Sequence, residues 1–228
     1  MRLWNVFKME LFKNWQDRTS LIIMLAFMAV NIMGGFMLSS GGWSASAIFP
    51  FSFSVLASLA FLFVYPYQMA RIDYKNKVMS LLIASGVSRV QYYFVKVGAT
   101  LIFSLLSFML IAILPLFIVM LAEEGMSFAV EFFNFVFEID AVTFGIIIFT
   151  WLSAFSILMT SVIISRGRGF TIFVFLGLYF LTSQIALFFH GGRSVWWNPD
   201  YAAIIVQHII TIIVMGLIGI LILRKQDL

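Results

Sequence analysis

The chain has 228 residues, of which 63% are hydrophobic and 11% charged, with a net charge of +4 and no cysteine. That balance excludes a domain with a polar shell in water, and the missing cysteines exclude disulfides and thiolate metal or redox centres. The placement of the positive charge, rather than its size, decides between a nucleic-acid partner and a membrane.

Residues 1–18, MRLWNVFKMELFKNWQDR, put Leu3, Trp4, Phe7, Leu11 and Trp15 at three- and four-residue steps, with Asn5, Lys8, Lys13 and Asn14 elsewhere. This spacing predicts an amphipathic helix lying in the membrane interface. It either anchors the first span or carries motion to the membrane. The apolar run behind it is longer than a secretory signal core, so the small residues at Ser44–Ala47 do not read as a cleavage site.

Six runs with few or no charges then predict membrane-spanning helices over about residues 20–38, 47–68, 97–121, 141–165, 170–189 and 202–223. Even the shortest reaches roughly 28 Å, close to the thickness of a hydrocarbon core. The runs are continuous rather than alternating, which predicts helices and not a barrel. With both termini cytoplasmic, thirteen of the fourteen Lys and Arg residues lie inside and only Arg193 outside. Glu123, Glu124, Glu131, Glu138, Asp140 and Asp200 then face outward. The positive-inside rule and anionic lipid headgroups account for this distribution without nucleic acid. The expected fold is an all-α integral membrane protein, one transmembrane domain of six spans behind an N-terminal interfacial helix.

The first cytoplasmic loop, residues 71–90, reads RIDYKNKVMSLLIASGVSRV. A short helix fits NKVMSLLIAS, with Gly86 placed to take the left-handed conformation that closes it. Ser88 and Gln91 have the spacing of a capping box opening the third span. Two helices therefore meet at a corner carrying Leu81, Leu82, Ile83 and Val87, which lipid, the chain itself or a partner must cover. Pro115 predicts a kink in the third span. In the fourth, Thr150, Ser153, Ser156 and Thr160 form one stripe, which either packs helices or lines a path. The second cytoplasmic turn is SRGRG, with Arg166 and Arg168. The last outer connection holds Trp196, Trp197 and Pro199, which read as an aromatic belt with a helix-starting turn. His190 reads as an interfacial loop residue and His208 as a packing one. Neither they nor any HExxH offer a metal site.

Within the spans no Asp, Glu, Lys or Arg provides an ion relay, which argues against ion-coupled transport. No GxxxxGK[ST] loop is present, so any ATP-driven work needs a partner chain. The order of amphipathic helix, six spans, the loop ARIDYKNKVMSLLIASGVSRVQYYFVK and a terminal RKQDL resembles the membrane subunits of type-2 ABC exporters. The resemblance implies that the loop is a coupling helix seated in an ATPase subunit. Its matching positions are Asp73, where Glu is more usual, Leu81, Leu82, Ser85 to Ser88, Arg89 and Lys96. A second contact would fall at Arg166 and Arg168, and an outer gate at Trp196, Trp197 and Pro199.

The resemblance further implies a multi-pass permease of a bacterial cytoplasmic membrane, not itself an enzyme. It would work with two ABC ATPase subunits that bind ATP and Mg, and with a second copy of this chain or a related permease. The absence of a large outer domain leaves little to recognise a soluble carbohydrate or protein cargo. The resemblance to compact two-component members of the family implies an amphipathic or hydrophobic cargo, first an antimicrobial or toxin peptide, then a lipid or small drug. The competing expectation is a non-transporting membrane anchor that recruits an ATPase for signalling or immunity.

Overall fold

The structure is a computed structural model that describes residues 3–41, 63–124, 140–189 and 201–226. Among them no strand occurs. The helices are α1 Leu3–Gln16, α2 Arg18–Gly41, α3 over residues 63–75, α4 Val78–Ala84 and α5 Arg89–Phe108. A π-helical turn, Met109–Ile113, leads into α6 Leu114–Glu124, and α7 Ala141–Ser165, α8 Thr171–Phe189 and α9 Tyr201–Lys225 complete the described residues. Among the described residues four apolar stretches are long enough to cross a membrane: Ser20–Met37, Arg89–Ile111, Ala141–Ser165 and Tyr201–Lys225. A shorter one covers Thr171–Ile185. The chain is thus all-α with the length and apolarity of a membrane protein. Most of the second expected span, the outer connections and the Trp196, Trp197 and Pro199 positions lie outside the described residues.

The helices group into two units. The first comprises the described residues of Trp4–Pro66 and Gly98–Glu138. Here α1 ends at Asp17, whose side chain accepts a hydrogen bond from Ser20 and whose carbonyl accepts from Leu21 N at 3.1 Å, starting α2. Helix α2 packs on α6 at Gly35, where a methyl group would stand 2.8 Å from Val119 Cγ2. Close approach through a small residue is the usual way helices meet without a hydrophobic driving force. Pro115 has no N–H to give the carbonyl of Ile111 four residues back, which in lipid is expensive to leave bare. The Asn31 amide donates to that carbonyl at 2.6 Å, and the helix widens into its π-turn beside it. Proline, π-turn and buried amide thus form one device, of which the sequence exposes only the first part.

Helix α1 turns one face into the protein and another outward. The face turned into the protein carries Val6, Glu10 and Asn14, all at least 99% buried. Trp4 and Trp15 are exposed, Trp4 stacks on Phe7 with 5.6 Å between centroids, and Lys8 Nζ lies 5.4 Å from the Trp4 ring. The apolar stripe of Trp4, Phe7, Leu11 and Trp15 is therefore the outer flank, with Phe7 also resting 3.4 Å from the position a Gly98 Cβ would take. In a bilayer the greasy face turns to lipid, and the polar residues find their place within the protein. The Leu3 side chain lies outside the described residues.

The second unit comprises the described residues of Met1–Leu3, Tyr67–Val97 and Ile139–Leu228. Helix α7 is its centre, with α8 and α9 packed on it. Asp140 caps its start, accepting from Thr143 N at 2.8 Å. The hydroxyl stripe of α7 faces α9. Thr150 and Ser153 reach the two ring nitrogens of His208 at 3.0 and 2.9 Å, and Thr160 donates to the carbonyl of Met215 at 2.9 Å. Ser156 completes the row, 3.4 Å from the carbonyl of Ile212. Gly219 of α9 leaves room for Tyr93 of α5, whose ring would touch an added Cβ at 3.0 Å.

Candidate functional site

The corner between α4 and α5 is built by two complementary caps. At the end of α4, Gly86 N donates to the Ile83 carbonyl at 3.0 Å and Val87 N to the Leu82 carbonyl at 3.1 Å. This is the Schellman arrangement, and Gly86 takes the left-handed conformation it needs, φ +91°. Two residues later Ser88 N donates to Gln91 Oε1 at 3.1 Å, while Gln91 N donates to Ser88 Oγ at 3.2 Å. This reciprocal pair satisfies two of the free donors at the start of α5. The junction of α4 and α5 at SGVS is thereby specified by local hydrogen bonds.

Packing then sorts the corner into an inner and an outer side. Met79, Leu82 and Val87 are buried in the chain, whereas Leu81 is 69% exposed and Ala84, Ser85, Gly86 and Ser88 are exposed with it. Ile83 is half-buried. Of the residues that the resemblance assigns to a partner, Leu82 and Val87 thus serve as the anchor that seats α4, and Leu81 heads the presented face. At a helical period of 3.6, adjacent leucines cannot share a face.

Asp73 is corrected more strongly. It is fully buried, ion-paired with Lys96, and accepts from the Tyr92 hydroxyl at 3.4 Å. Its charge ties the end of α3 to α5 and is not available to another protein. Lys96, another of the matching positions, is 3% exposed. Arg89 also points inward. Its Nη1 lies 3.0, 2.6 and 2.8 Å from the carbonyls of Leu223, Arg224 and Gln226, capping the end of α9 with a positive charge where the helix dipole is negative. Gln226 in turn donates from Nε2 to the carbonyl of Ile163 at 2.7 Å, near the end of α7. Nothing in the sequence pairs Arg89 or Gln226 with these carbonyls, because the contacts span more than sixty positions.

Helix α7 closes with the same motif as α4 but without its glycine. Arg166 N donates to Ile163 O at 3.2 Å and Gly167 N to Val162 O at 3.0 Å, yet the left-handed position is held by Arg166, φ +53°. Gly167 follows at φ +66°, and a Cβ there would lie 2.9 Å from the Arg71 Cα. Ser165 and Thr171 share a 2.5 Å hydrogen bond across this turn, both buried.

Beside the turn lies a cavity of about 730 Å³ lined by Arg71, Lys75, Lys77, Arg166 and Arg168 together with Asp73, Tyr74 and Gln226. Lys77 has a left-handed backbone as well, φ +54°, so the only two non-glycine residues in that region among those described both carry positive charge to this cavity. Burial raises the pKa of Tyr74 well above the ordinary phenol range, with Asp73 adding to the rise and the Arg166 charge opposing it. It stays a neutral hydroxyl there.

In the interior, the Thr150, Ser153, Ser156 and Thr160 stripe offers its hydroxyls to α9 and does not face open space. A separate apolar cavity of about 570 Å³ in the first unit is lined by Lys8, Leu11, Phe12, Trp15, Ile102, Phe103 and Leu106. No family model matches the chain, and no curated protein and no solved structure matches it.

Proposed function

We propose that the chain is the membrane subunit of an ATP-driven exporter of the ABC type, with six spans, both termini in the cytoplasm, and the α4–α5 corner as the contact for a separate ATPase subunit. The observation that carries this reading is the corner's two-sidedness. Met79, Leu82 and Val87 seat it in the chain, while Leu81 is 69% exposed on a face continued by Ser85, Gly86 and Ser88. An apolar knob on a helix of seven residues, locked by caps at one end, is suited to insertion into a groove of another protein. Arg166 and Arg168 would make a second contact. ATP and Mg would be held by the partner, and the cargo would be amphipathic or hydrophobic, a peptide before a lipid or small drug.

The alternative is a membrane anchor that recruits an ATPase without moving a cargo. What favours it is the fourth-span stripe, whose four hydroxyls are engaged by α9. Purification of the full-length protein from its own membrane tests the shared part of both readings. An ATPase carrying a phosphate-binding loop should accompany it. Leu81→Asp combined with Ser85→Asp should release that subunit at unchanged melting temperature. Absence of any nucleotidase, or its full retention by the variant, would overturn the assignment. In proteoliposomes, ATP-dependent movement of an amphipathic peptide supports the exporter, and stimulated hydrolysis without movement supports the anchor.

A further inference from the structure

We propose that the basic cavity at the end of α3, α7 and α9 is a receptor for the phosphate-bearing headgroup of an anionic phospholipid. Five cationic side chains from three segments converge on it: Arg71 and Lys75 from α3, Lys77 from the following turn, and Arg166 and Arg168 from the turn after α7. Among the described residues none of the five is paired with a carboxylate. The one acidic residue in the wall, Asp73, is engaged by Lys96 and Tyr92. Concentrating like charge around a recess is unfavourable unless an anion joins it. The chain also holds Lys77 and Arg166 in a backbone conformation that glycine or asparagine would adopt with less strain.

Position selects the source of the anion. Helices α7 and α9 end at the cavity and α8 begins there, so it sits at the level where long apolar helices give way to water, the level of headgroups. Basic pockets between membrane helices are the usual seats of anionic headgroups. The volume suits one headgroup with its phosphate and hydration. Exposed apolar residues adjoin the wall along the chain, Ile72 next to Arg71 and Phe170 next to Gly169. The inference requires that the helices cross a bilayer, and not that the chain exports anything.

The test uses full-length protein in nanodiscs of phosphatidylcholine with a minor fraction of phosphatidylglycerol, followed by mass spectrometry of the lipids retained on release. The wild type should retain phosphatidylglycerol far above its share. Combining Arg71→Gln, Lys75→Gln and Lys77→Gln should lower that preference about a hundredfold, at roughly fivefold per charge. Lys75→Gln alone should lower it about fivefold, which keeps the test decisive if the triple variant misfolds. Lys225→Gln, at the end of α9 but outside the cavity wall, should leave it unchanged. Equal retention of both lipids by the wild type, or undiminished retention by the cavity variants, overturns the proposal. Displacement of the lipid by millimolar inorganic phosphate would assign the site to a soluble phosphate compound and overturn the lipid source. No ATPase enters the assay, so its result is independent of the exporter reading.

Discussion

Replacing Asp73 by asparagine should damage the fold before it touches any partner. The carboxylate is fully buried, is ion-paired with Lys96, and accepts from Tyr92. Asparagine keeps the shape but leaves Lys96, itself nearly inaccessible, without its countercharge. Removing one member of a buried pair costs about 3–5 kcal/mol. At roughly 2–4 °C per kcal/mol for a chain of this length, the melting temperature should fall by about 6–20 °C. Lys96→Met should cost a similar amount. The double variant removes both charges together, and exchanging a buried pair for neutral groups is often nearly neutral, so it should lie within about 1–2 kcal/mol of wild type. The assay is thermal unfolding of all four proteins in one detergent, which yields a coupling energy expected to exceed about 2 kcal/mol. Additive losses in the double variant would refute an internal pair. An unchanged melting temperature in Asp73→Asn, with loss only of ATPase association, would return Asp73 to the partner surface.

Arg89→Ala frees the carbonyls of Leu223, Arg224 and Gln226, and should cost about 1–2 kcal/mol and raise amide exchange over the last turn of α9. Gly35→Ala should destabilise by about 1–3 kcal/mol through its clash with Val119, and Val119→Ala in the same chain should recover most of that, read by thermal unfolding. Arg166→Gly should stabilise the chain by about 0.5–1 kcal/mol while weakening whatever anion the cavity holds, so melting temperature and binding should move in opposite directions. Hydrogen bonds from Thr143, side chain and backbone, hold the Asp140 carboxyl below its ordinary value. Its cap should therefore be intact above the pKa of the unfolded carboxyl and be lost as pH falls through the folded one. Amide exchange at Thr143 should rise over that acidic range in wild type and show no such step in Asp140→Asn.

The parts of this fold that local chemistry determines were legible in the residues alone. Gly86, Ser88 and Gln91 signal a closed helix and a capped one within six positions, and the structure places hydrogen bonds at both. Burial was not legible to the same degree. In water an apolar stripe marks the inside, but beside lipid Trp4 and Trp15 are exposed and Glu10 and Asn14 are buried. The four hydroxyls of α7 were recognisable as a stripe, yet their partner, α9, begins more than forty residues after the stripe's end. The structural roles of Arg89, Lys77 and Arg166 were hidden for a different reason. Basic residues at the ends of spans satisfy the positive-inside rule wherever they point, so sequence cannot distinguish a cap, a cavity wall and a solvated charge.

The hydrogen bonds around the corner also decide which helices could respond to a push on it. Leu81 rides on α4, whose anchor residues and short connection bind it to the start of α5. Arg89, the first residue of α5, holds the last carbonyls of α9, and Gln226 carries the link on to Ile163 in the last turn of α7. On the proposed reading, displacement of the corner by an ATPase would therefore pull on the cytoplasmic ends of α9 and α7 together. Those two helices are themselves joined along their length by Thr150, Ser153, Ser156 and Thr160. Bonds distributed from one end of a pair to the other resist its separation, so the pair should move as one body and not open between its members. The polar stripe then belongs to the lever, and a route for cargo would have to run along surfaces of that body other than the α7–α9 seam.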